Sequence, residues 1–89
     1  MRILGSLPHP RLKITLMHHG RYLLKLEDSD VETVYRFRDS EGIASVEDAQ
    51  RILDLGLLQE AEGILRSMSE ARRRYAEAPP PAEEFPVIV

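Results

Sequence analysis

The sequence predicts an α+β domain: a three-stranded antiparallel β-meander followed by two helices packed on one of its faces. Two observations carry that expectation. From Leu12 to Phe37 apolar and polar residues alternate, the period of half-buried strands, and after "DSEGIAS" the apolar residues recur every three or four positions, the period of helices facing a core. Strands first and helices afterwards, with no strand–helix alternation, is the α+β order. At 89 residues the chain holds one domain with a thin core, expected over residues 1–78, followed by a flexible Pro-rich tail, 79–89, with an apolar end.

The elements follow in chain order. "MRILGSLPHP" has one short apolar patch and then two prolines, so it reads as a lead-in that adds at most an extra edge strand at Arg2 to Leu4. Three alternating runs come next: Leu12, Ile14, Leu16; then Tyr22, Leu24, Leu26; then Val31 or Thr33, Tyr35, Phe37. A hairpin must bring both apolar sets to the same face. A two-residue turn at His19 and Gly20 mismatches the faces. A three-residue loop of His18, His19 and Gly20 pairs Met17 with Arg21, Leu16 with Tyr22, Ile14 with Leu24 and Leu12 with Leu26, and requires a positive φ that Gly20 can supply. In "EDSDVE" the same test puts Ser29 and Asp30 at the tip, with Leu26 opposite Thr33, Leu24 opposite Tyr35 and Tyr22 opposite Phe37.

Ser45 followed by Asp48 resembles a capping box with Asp in place of Glu, starting a first helix from Val46 to Leu55 that buries Val46, Ala49, Ile52 and Leu53 and that Gly56 ends or bends. A second helix, Leu57 to Glu77, places Leu57, Ala61, Ile64, Met68, Ala71 and Tyr75 in one apolar seam. Glu47–Arg51, Glu62–Arg66 and Glu70–Arg74 have the four-residue spacing, acid first, of exposed helical pairs. "PPP" stops the helix, and the terminal "FPVIV" is apolar enough to lie on a surface or add to a sheet edge.

Several functional classes lose ground at once. There is no cysteine, hence no disulfide, thiolate metal site or thiol nucleophile. With no long apolar run, neither a signal peptide nor a membrane span is expected, and the expected location is cytoplasmic. His9, His18 and His19 are the only histidines, two of them adjacent in a turn, which does not converge three or four ligands on a metal or supply an oriented acid–base pair. No enzyme activity and no cofactor are expected.

Charge is uneven. Arg11 to Arg38 holds six Lys/Arg and four Asp/Glu, and Asp39 to Glu70 holds two and eight. The outer sheet face, with Lys13, Arg21, Lys25, Arg36 and Arg38, is therefore the candidate for binding nucleic acid or another anion, although Tyr22, Tyr35 and Phe37 fall on the opposite face and leave bases no stacking platform. Arg72, Arg73 and Arg74 suit the negative end of a helix dipole. The second helix, about 30 Å long, outreaches strands of about 20 Å, so Met68, Ala71 and Tyr75 are expected to overhang and meet a second copy or another protein.

"GSLPHPRLKITL", with "GRYLLKLE" after the turn and "ETVYRF" beyond it, resembles a family of small uncharacterised bacterial proteins with a Gly-Ser-x-Pro-His-Pro lead-in. The resemblance implies that Pro8, His9 and Pro10 shape a fixed structural lead-in, and it implies no activity. The expected function is thus a non-enzymatic protein-interaction module, self-associating through the second helix or a sheet edge, with anion binding on the sheet as the alternative.

Overall fold

In a computed structural model, which describes residues 1–76, the sheet has four strands where the sequence predicts three. These are β1 (Arg2–Leu7), β2 (Lys13–His18), β3 (Tyr22–Glu27) and β4 (Glu32–Phe37), antiparallel and adjacent in chain order. The lead-in is a full strand because a bulge falls between Ile3 and Gly5. Ile3 pairs with Met17, whereas Gly5 pairs with Leu16 and Leu7 with Ile14. The extra residue turns Leu4 toward the core and breaks the period of two that would otherwise announce a strand.

The β3–β4 ladder pairs Tyr22 with Phe37, Leu24 with Tyr35 and Leu26 with Thr33, as the alternation predicts. The β2–β3 ladder is shifted by two residues from the expected register: His18 pairs with Tyr22, Leu16 with Leu24 and Ile14 with Leu26, so the loop is His19, Gly20 and Arg21. A shift of two preserves every inward-facing residue. Gly20 does take positive φ, 73°.

In place of two separate helices, one helical run extends from Val46 to Ala76: α1 (Val46–Ile52), a wide π turn at Leu53–Leu57, and α2 (Leu58–Ala76). Gly56, at φ 134°, kinks the run without ending it. Ser45 caps α1, its Oγ accepting from Asp48 N at 3.2 Å. The Asp48 carboxylate in turn accepts from Ala44 N at 3.1 Å and from the Ser45 hydroxyl at 3.1 Å. The Ala44 N–H, then the Ser45 hydroxyl, hold its carboxyl below the usual carboxylate range.

The run covers the inner sheet face. Leu7, Leu12, Ile14, Leu16, Leu24 and Leu26 are buried against Ile43, Ala49, Leu53, Ala61 and Leu65. α1 lies so close to β1 that a Cβ on Gly5 would fall 2.6 Å from Val46 Cγ2. The result is a small α+β domain, and none of its described helices is long and apolar enough to cross a membrane. The tail expected at 79–89, "FPVIV" included, lies outside the described residues.

Candidate functional site

α2 carries two apolar stripes where the spacing suggested a single seam. With about 100° between successive residues, Leu58, Ala61 and Leu65 share one side of the helix, and Ile64, Met68, Ala71 and Tyr75 share a second side about 100° away. The first side meets the sheet: Ala61 and Leu65 are fully buried and Leu58 packs against the same core. On the second, Ile64 is 44% exposed, Met68 38% and Tyr75 77%, with Ala71 half-buried between them. The expected interaction residues are therefore brought together on one open face, and Ile64, assigned by spacing to the core, joins them.

The reason for the exposure differs from the expected one. A simple overhang past the strand ends would leave the second half of α2 free of the sheet. Instead the connection between β3 and β4 reaches up to it: Ser69 Oγ donates to Asp30, with its two carboxylate oxygens at 3.2 and 3.1 Å, and the Arg72 guanidinium lies 3.9 Å from Asp30. α2 is fastened as far as Arg72, and the open stripe runs alongside that fastening. Arg73 donates to Ser69 at 3.1 Å, and Arg74 lies over the Tyr75 ring at 5.4 Å. The "RRR" run thus fans out to three different partners.

The three expected acid–base pairs along the helices do not form. Arg51 pairs with Asp48 at 3.4 Å, and Glu62 is taken by His9, whose Nε2 lies 3.2 Å from Glu62 Oε2. His9 Nδ1 accepts from Arg11 N at 3.0 Å and Leu12 N at 2.9 Å. An Nδ1 that accepts twice has no proton, so the ring proton sits on Nε2 and is donated to Glu62. One imidazole closes the β1–β2 connection and ties it to α2.

The basic residues of the outer sheet face divide into two groups. Arg21, Leu23 and Arg36, with His19 and Gly20, line an open groove of about 420 Å³ at the β2–β3 end, and Arg38 follows Phe37, the last residue of β4, outside that lining. Lys25 instead meets Glu27 at 3.7 Å, and Lys13 pairs across the ladder with the same Glu27, which faces Glu32. The five cations do not make one patch. Met17 and Thr15 are buried on this face, while Ile3 and Val34 stay exposed.

His18 packs edge-on against Tyr22, centroids 4.6 Å apart, and its Nε2 is 3.9 Å from Asp39. Among the described residues no three His, Asp or Glu side chains are grouped to hold a metal ion. The Tyr35 hydroxyl is buried without a hydrogen-bond partner among these residues, a desolvation cost on the order of 1–3 kcal/mol. Comparison with family models, curated proteins and solved structures finds no match to this chain.

Proposed function

We propose that this protein is a non-enzymatic interaction module that self-associates through the open stripe of α2. The observation that supports this reading is the coincidence of Ile64, Met68 and Tyr75 on one face of a helix whose other apolar side is already packed. Scattered apolar residues on a surface call for no explanation, but a row of them beside a completed core marks a surface that gains by being covered. Met68→Glu or Tyr75→Glu should convert a concentration-dependent oligomer to monomer in light scattering and leave the melting temperature within a few degrees of wild type. A charge desolvated in an apolar contact is costly, whereas the same charge on an exposed helix face is not. A wild type that stays monomeric at every accessible concentration would refute the proposal.

The groove of His19, Arg21 and Arg36 favours a second reading, capture of an anion such as a phosphate group. Its sign is binding of an RNA oligonucleotide that weakens with salt, is lost in Arg36→Gln and is indifferent to Met68→Glu.

A further inference from the structure

The solvent-side flank of the stripe is itself ordered. Glu60, Ser67 and Arg74 recur every seven residues, so they follow one line along α2, on the side of the stripe away from the sheet. All three are exposed, and neither Glu60 nor Arg74 has an ion-pair partner among the described residues. Opposite charges thus stand two heptads apart on the same flank, with a neutral residue midway.

Resting on the proposed function, we infer that the stripe's occupant is a second copy of α2 running antiparallel, in the register that sets Glu60 of each copy against Arg74 of the other. In that register Ile64 meets the second copy's Met68, and the half-buried Leu57 meets its Tyr75. Each contact occurs twice about a two-fold axis near Arg66, so the pair is closed and does not propagate into a fibre. The three exposed residues of the stripe, Ile64, Met68 and Tyr75, each find a counterpart. Sliding one copy by a heptad drives one end of the stripe past the other helix and separates Glu60 from Arg74. A parallel pair would instead hold Glu60 and Arg74 two heptads, about 21 Å, apart along the axis, so that they could not meet, where the antiparallel pair brings them together twice. The stripe also lies about 100° from the side packed on the sheet, so the second helix lies beside α2 and both sheets fall on the same side of the helix pair. One helix pair is a small interface, which makes the association weak and concentration-dependent.

The absence of cysteine makes the test direct. Glu60→Cys and Arg74→Cys proteins, each exposed and away from the core, are treated with a short bis-maleimide at a concentration where wild type is associated. A linked species should form in a mixture of the two and not in either alone. As a second measurement, Glu60→Arg should weaken association several-fold, the scale of exposed ion pairs counted twice, and adding Arg74→Glu to the same chain should restore it. Linking of either variant with itself would show a parallel pair and overturn the inference. Failure of the mixture to link, or of the double reversal to restore association, would overturn this register while Met68→Glu still abolishes association. A wild type that never associates would overturn the proposed function together with the inference.

Discussion

The two ends of the sheet are closed by short connections of similar length, and only one end is fastened to the helices. Where β1 joins β2 and β3 joins β4, His9 holds Glu62 of α2 and Asp30 holds Ser69 and Arg72. At the other end His19, Gly20 and Arg21 are exposed, and His18 has only the Tyr22 ring and a distant Asp39. The difference teaches what a histidine does in a small fold. Its worth is decided by whether unpaired backbone donors stand next to it. Pro8 and Pro10 have no N–H, so the first donors after them, at Arg11 and Leu12, turn inward on the short connection and need an acceptor, which His9 Nδ1 provides. The β2–β3 turn closes through its own backbone, His19 N donating to Arg21 O at 2.9 Å, and asks nothing of its side chains.

Three variants probe that contrast. The largest effect should come from His9→Ala, which strips the acceptor from two backbone N–H groups and the partner from Glu62; a loss of about 2–3 kcal/mol in chemical denaturation is expected. Gly20→Val should cost less, about 1–2 kcal/mol, because a β-branched residue resists the positive φ while the side chain itself meets nothing within 4 Å. Least of all, His18→Asn combined with His19→Asn should stay within about 0.5 kcal/mol of wild type. Equal melting temperatures for the His9 and the double variant would erase the distinction between the two ends, and a ranking of Gly20→Val above His9→Ala would place the structural weight at the turn.

Parity, the fact that Leu16, Leu24 and Tyr35 must face the same way, is written in the alternation and held on all three strands. Parity does not distinguish registers two residues apart, and this is why the β2–β3 ladder slipped from its expected place while β3–β4 did not. β1 is legible only as an optional edge strand at Arg2 to Leu4, because the bulge at Leu4 spoils the alternation and Gly5 contributes no side chain where Val46 approaches. In α2 the spacing found the apolar residues but could not say which of two stripes the sheet would take. Leu65, outside the expected seam, is the one buried at 1% exposure, and Ile64 beside it is left in the open. The role of His9 had a readable signal, a ring acceptor bracketed by two prolines and followed at once by free backbone donors, but a residue-type search for metal or acid–base partners passes over it.

The kink at Gly56 also divides the molecule in time. α1 is held by the packing of Val46 against β1, and α2 is held by Leu65, Glu62 and Ser69 against the far connections of the sheet, so the two stretches answer to different anchors. Because the backbone leaves the helical region at Gly56, unwinding that enters α2 from beyond Arg72 runs out of continuous helix there and does not carry into α1. Fraying of α2 beyond Arg72 is thus a local event, one the domain can undergo while its sheet, its α1 cap and the packing of Ala61 and Leu65 stay intact.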